Sequence, residues 1–287
     1  MKNIKQIKLL VLLIALASII AASYGILSKE GAGNYEIESV RGEQITIYGK
    51  GLYQHMSSDV AIQGIAQDYV TLFIGVPLLL ISLSLSRKNS LRGLFLLAGT
   101  LGYFLVTYLF YLTMGMYNQM FLVYAFLLGT TFFAFILAIL EFDLNEIKSK
   151  FTSEKLARNA GTFLIINASL VGLLWLGVVL PPIFEGTLYP KELQHYTTLI
   201  VQGFDLGLLL PMAFVVGILA IKKNRFGFLF TPIYMIFLSL LMTALVSKIL
   251  FMAGAGQNVI PVIFIMPTIV LISISFSILL LKNIKKS

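Results

Sequence analysis

The chain reads as an all-α polytopic membrane protein of about eight transmembrane helices. Three observations predict this fold class. Hydrophobic residues fill 58% of the 287 positions and charged residues only 12%, about half the charge of a soluble domain. Eight apolar runs are each long enough to cross a hydrocarbon core, which takes roughly 20 residues at about 1.5 Å of rise each. The segments between the runs alternate without a break between rich and poor in basic residues. Runs this long exceed the strands of a barrel, so helices are the form that satisfies the backbone inside lipid.

The runs span residues 9–27, 68–85, 94–113, 121–140, 163–180, 198–221, 228–252 and 259–281. Lys2, Lys5 and Lys8 precede the first, and Ala21, Ala22 and Ser23 near its end would suit a cleaved signal peptide. The apolar stretch continues to Leu27, beyond a typical signal core, which favours a retained anchor. Residues 35–40 and 44–48, joined by Arg41-Gly42-Glu43, carry β-like patterning and predict a hairpin over 33–50 between the first two helices. An isolated hairpin is marginal in water, so it is expected to rest on the mouth of the bundle. Gly49-Lys50-Gly51 lacks the strand-to-helix setting of a phosphate loop and reads as a turn.

Basic residues cluster before the first run, between the second and third, fourth and fifth, and sixth and seventh, and after the eighth. Of the 21 basic residues only Lys29, Arg41, Lys50, Lys191 and Lys248 fall elsewhere. The positive-inside rule makes the rich side cytoplasmic, with both termini there and the hairpin extracytoplasmic. A net charge of +8 therefore faces the membrane surface and implies no nucleic-acid partner. The chain has no cysteine, which excludes disulfides and thiolate sites.

The halves resemble each other. Gln54-His55, Gln63-Gly64 and Asp68 are followed by Pro77, Arg87-Lys88-Asn89, Gly93-Leu94-Phe95 and Asn118-Gln119. In the second half Gln194-His195, Gln202-Gly203 and Asp205 precede Pro211, Lys222-Lys223-Asn224, Gly227-Phe228-Leu229 and Gln257-Asn258. This order predicts a parallel 4+4 repeat within a single transmembrane domain: 1–142 including the hairpin, a connector at 143–159, and 160–287. An even number of helices per copy makes the copies parallel, about an axis along the membrane normal.

Charges inside a bilayer cost about 2.5–3.5 kcal/mol each on the insertion scale and mark candidate sites. Asp205 and Lys248 sit on consecutive antiparallel runs, close enough in depth to pair. Thr198, Gln202 and Asp205 follow helical spacing and share a face, and Gly203 and Gly207 bracket Asp205 in a GxxxG pattern that permits close helix approach. Asp68 is expected at the outer boundary, with Gln63 in the polar stripe before it. His55 and His195, the only histidines, occupy matching places but lack ligand-like company, so no metal and no cofactor are expected. Tyr103, Tyr108, Tyr111, Tyr117 and Tyr124 read as belt and packing residues. No nucleophile elbow, zinc-protease helix or Walker loop occurs, and no catalytic residue is assigned.

These residues favour a plasma-membrane transporter-like protein that handles an ion or small solute through an outward-facing polar pocket. Its candidate residues are Asp205, Lys248, Gln202, Asp68, Gln63, His55 and His195. Two rivals are a haem redox module held by His55 and His195, and a non-catalytic partner or sensor subunit whose hairpin is the contact surface.

Overall fold

In the computed structural model, which describes residues 2–88, 90–187 and 189–285, eight helices are long and apolar enough to span a membrane. They are α1 (Ile4–Leu27), α2 (Ser58–Ser86), α3 (Leu91–Thr113), α4 (Phe121–Leu140), α5 (Glu154–Glu185), α6 (Ile200–Ile221), α7 (Arg225–Gly254) and α8 (Val262–Asn283). The chain is thus a multi-pass membrane protein whose outer helices meet lipid. Asn89 of the first basic turn and Lys286 lie outside the described residues.

Helix α2 starts ten residues before the apolar run that announced it, because Ser58, Asp59, Gln63 and Gln67 keep its first turns polar. Asp68 therefore lies about 15 Å inside the helix, at 1.5 Å per residue, rather than at its end. Two of the spans contain a π turn: Thr71–Gly75 in α2 and Asp205–Leu209 in α6. Each ends two residues before a proline, Pro77 and Pro211. A proline has no N–H to donate and its ring crowds the carbonyl four residues back. A wider turn just ahead of it gives that carbonyl room.

The core lies where α3 and α7 cross. Helix α3 packs on α2, α4 and α7, while α7 packs on α2, α3, α5, α6 and α8. Phe95, Leu97, Leu101, Tyr103, Phe104, Phe228 and Met235 are fully enclosed there. Within each half the first helix touches the second and fourth, and the third touches the second and fourth. Both third helices start on a capped turn followed by a glycine. Ser90 Oγ accepts from Gly93 N at 3.2 Å, and Asn224 Oδ1 accepts from Phe226 N at 2.9 Å. A Cβ on Gly93 or Gly227 would lie 2.4–2.6 Å from the backbone ending the preceding helix, so only glycine lets the basic turns close this tightly.

The hairpin forms as β1 (Tyr35–Glu38) and β2 (Gln44–Ile47), antiparallel, with Tyr35 opposite Ile47 and Glu38 opposite Gln44. Ile45 and Ile47 face inward while Gln44 and Thr46 face out, which is how a short sheet rests on a larger body. Tyr48 N donates to Met56 O at 2.9 Å, tying the hairpin to the loop that enters α2.

The two ends of the bundle differ in charge as the alternation predicts. At one end Asn3 N meets Glu141 at 2.6 Å, Thr152 N donates to Asn283 O at 2.9 Å, Lys285 N donates to Lys150 O at 2.8 Å, and Lys223 pairs with Glu154 at 2.9 Å. Both chain ends and the basic turns therefore share one end. The hairpin and the loops before α2 and α6 occupy the other. There Arg41 Nη1 donates to Gln194 O at 3.0 Å, and Gln257 Nε2 donates to Asp59 at 2.5 Å.

A candidate intramembrane ionisable site

Asp68 is 4% exposed and is held by two phenols. Tyr53 OH donates to Oδ2 at 2.5 Å, and Tyr111 OH lies 2.8 Å from Oδ1. Tyr53 comes from the loop before α2 and Tyr111 from α3. Burial pushes the Tyr53 phenol well above the usual phenol range, so it stays a donor. Tyr124 packs edge-on and Tyr108 tilted against Tyr111, with ring centroids at 5.1 and 6.0 Å. One position earlier in α2, Gln67 Nε2 donates to Tyr103 OH at 2.8 Å. The buried Tyr103, Tyr108 and Tyr124 and the half-buried Tyr111 thus form an aromatic wall around the Asp68 carboxyl group, as packing residues, whereas Tyr117 is 78% exposed.

Helix α1 reaches this cluster through one missing side chain. A Cβ on Gly25 would stand 1.9 Å from Asp68 Oδ2 and 3.1 Å from Tyr53 OH. Glycine lets the backbone of α1 close over the carboxyl and keep lipid away from it.

Asp205 opens the π turn of α6 and accepts from Trp175 Nε1 of α5 at 2.7 Å. The expected Asp205–Lys248 ion pair does not form within 4 Å among the described residues. Lys248 is half-buried on α7, which packs on both α2 and α6, and it lies in the field of Asp205 and Asp68 together. The reason is partner competition. Each carboxyl group already has neutral hydrogen-bond partners, Tyr53 and Tyr111 for Asp68 and Trp175 for Asp205, so neither depends on the ammonium.

The other candidates are dispersed. Gln202 lines a groove of about 320 Å³ with Thr198, Leu199 and Tyr189, away from Asp68. Thr198 precedes the helical turn that begins at Ile200, so it does not share a helix face with Asp205. Gln63 is half-buried one turn before Gln67. Gly203 and Gly207 face open space, with nothing within 4 Å of an added Cβ. The close approach of α5 and α6 runs instead through Gly161 and Gly217, where an added Cβ would meet Gly217 O at 2.8 Å and Gly161 O at 2.6 Å.

His55 and His195 do come together, though not ring to ring. His195 Nε2 lies 3.2 Å from the His55 carbonyl, and its ring packs tilted against Tyr196 at 4.4 Å between centroids. Tyr196 OH in turn accepts from Ser57 N at 3.1 Å. Burial holds the His195 imidazole below the usual histidine range. The contact is thus a clasp between the loops before α2 and α6. No group of three or more His, Cys, Asp or Glu side chains arranged for a metal ion occurs among the described residues.

No protein-family model, curated protein or solved structure is significantly similar to this chain.

Sequence reasoning missed Tyr53, Tyr111, Trp175 and Gly25 as site residues. Tyr53 carried a faint signal as the aromatic just ahead of Gln54-His55. The others carried none that separates them from packing residues.

Proposed function

We propose that this chain handles an ion or small solute in a plasma membrane, with Asp68, Asp205 and Lys248 as its working centre. One observation carries the reading. Three ionisable side chains sit inside the bundle, and the cation faces two carboxylates without an ion pair within 4 Å among the described residues. A structural lock would close that pair, because an unpaired charge in a low-dielectric interior costs several kcal/mol. Retention of the charges without the lock fits groups whose charge is used, as ion pathways and proton relays use them.

The charge-segregated ends support an orientation with the basic end and both termini cytoplasmic, and the hairpin outside. A 4+4 repeat is supported by the middle helices of each half. A constant offset of 134 positions carries Thr71–Gly75 onto Asp205–Leu209, Pro77 onto Pro211, Ser90 onto Asn224 and Gly93 onto Gly227. A π turn, a proline, a cap and a clash-limited glycine in one register favour duplication over chance similarity of apolar helices.

The test is charge movement in proteoliposomes under imposed proton, sodium and potassium gradients. The parent should pass a current on one of these, and Lys248→Met should abolish it while the protein remains folded. A parent indistinguishable from empty liposomes across the panel sinks the reading.

A further inference from the structure

We propose that Asp68 holds a proton in the resting protein, so that Tyr53, Asp68 and Tyr111 form a proton-binding site. This rests on the reading that Asp68 belongs to the working centre, and it names the ion there.

The hydrogen count carries it. Three polar contacts run through the cluster. Tyr53 OH meets Asp68 Oδ2 at 2.5 Å, Asp68 Oδ1 meets Tyr111 OH at 2.8 Å, and Tyr111 OH meets Gly64 O at 3.0 Å. Each contact needs one hydrogen between its two oxygens. A phenol has one hydrogen, and the Gly64 carbonyl and an ionised carboxylate have none. With Asp68 ionised, Tyr53 and Tyr111 supply two hydrogens for three contacts. Tyr111 could then serve Asp68 or Gly64 but not both. With Asp68 protonated the chain closes: Tyr53 donates to Oδ2, Oδ1–H donates to Tyr111, and Tyr111 donates to Gly64. The weaker Tyr53–Tyr111 approach at 3.4 Å needs no hydrogen of its own.

The charge count agrees. The groups facing Asp68 from the packed elements are Tyr53, Tyr103, Tyr108, Tyr111, Tyr124 and Lys248. The phenols are neutral donors or acceptors, so Lys248 is the only charge among them. With both aspartates ionised the centre carries a net negative charge inside the bundle. With Asp68 neutral, Lys248 balances Asp205, and the buried centre is neutral overall. An isolated buried ion is more costly than a neutral hydrogen-bonded acid. The proton enters from water and forms an O–H bond at Oδ1, with no other reactant.

Infrared difference spectroscopy on the purified full chain in lipid at neutral pH tests this. The parent should show the carbonyl stretch of a buried, protonated carboxylic acid. That band should be sensitive to deuterium exchange, should shift with carbon-13 aspartate labelling, and should be missing from Asp68→Asn. Tyr111→Phe should move the band, because the acid O–H loses its acceptor, and this holds the test if Asp68→Asn does not fold. Asp68→Asn should also unfold within about 2 °C of the parent, since an amide donates where the acid donates and accepts where it accepts. A parent with only carboxylate bands overturns the proposal. The two readings fail separately: a protonated Asp68 with no current for any ion removes the transport reading, and a current without the band removes the proton site.

Discussion

Adding one methyl group at Gly25 should reverse its effect on stability depending on what stands at residue 68. Gly25 lies inside α1, where alanine is normally the better helix former by about 0.8–1 kcal/mol. In the parent that gain is overwhelmed. The new Cβ would stand 1.9 Å from Asp68 Oδ2 and 2.9 Å from Cγ, far inside any real contact. A free carboxyl group could swing away, but this one is pinned by Tyr53 and Tyr111, so moving it breaks a buried hydrogen bond. Overpacking of this kind costs about 1–3 kcal/mol, and an unsatisfied buried group about 1–3 more. Gly25→Ala should therefore lower stability by about 1–5 kcal/mol net of propensity. In an Asp68→Ala background, already weakened because two phenols lose a hydrogen-bond partner, the nearest remaining atom is Tyr53 OH at 3.1 Å. There Gly25→Ala should be neutral or stabilising by up to about 1 kcal/mol. The assay is a double-mutant cycle on unfolding midpoints in one detergent, since residues in contact are non-additive. Equal effects of Gly25→Ala in both backgrounds would refute the close approach of α1 to Asp68.

Topology and pH give two further tests. Because the chain has no cysteine, single cysteines can be placed on a silent background. A membrane-impermeant thiol reagent should label Val40→Cys, at a site 94% exposed on the hairpin, and Gly186→Cys, while missing Ser149→Cys and Asn224→Cys in intact cells. Labelling of Asn224→Cys from outside would invert or break the proposed orientation. The loop clasp should weaken in acid. The His195 imidazole is held below its ordinary range by burial, so the unfolded chain binds more protons there. Stability is then full above the ordinary histidine range and falls as pH drops through it. Unfolding midpoints measured across that window should slope downward with acid in the parent and less so in His195→Gln. An unchanged slope in the variant would dismiss the clasp as a pH-responsive contact.

The eight spans were legible because length and apolarity are local properties that survive any packing. What surrounds Asp68 was not. Ser58, Asp59, Gln63 and Gln67 lowered the hydropathy of the first three turns of α2, so the apolar run began at Asp68 and put that residue on the boundary. Its solvation is tertiary: one phenol arrives from a loop 15 residues earlier and another from a helix 43 residues later. Nothing in local patterning distinguishes those tyrosines from interfacial ones. The close approach of α5 and α6 was within reach but read at the wrong place. Ala157 with Gly161 and Ala213 with Gly217 keep the four-residue small spacing on buried faces, whereas Gly203 and Gly207 keep it on an open one. Spacing alone does not say which face a helix turns inward. For Asp205 and Lys248 adjacency was right and pairing was not, because Trp175, the lone tryptophan, offered Asp205 a neutral donor first.

The proposed repeat makes the two carboxylates inequivalent, and that inequivalence has a use. In motif order Asp68 and Asp205 look like counterparts. On the constant offset fixed by the π turns and prolines they are not: Asp68 matches Gln202, and Asp205 matches Thr71. Thr71 Oγ1 lies 3.0 Å from Tyr103 OH, while Gln202 lines a groove near the outer loops. Each half thus carries one acid and one neutral polar residue at the two matched positions, in opposite order. Three residues along a helix amount to about 4.5 Å of rise, so the acids sit at different depths relative to their prolines. Asp68 is enclosed by phenols and a backbone glycine. Asp205 is partly exposed beside a single indole. On that offset Lys248 matches Met114, so the cation has no twin and lies in the field of both acids. A centre with one enclosed acid, one accessible acid and a single shared cation has a direction built into it, which two identical pairs would lack. Exchanging the order, with Gln202→Asp and Asp68→Gln together, keeps the number of acids unchanged yet should abolish the current that the proposed function expects. A double variant that conducts as the parent does would show that the number of acids, not their position, is all the centre requires.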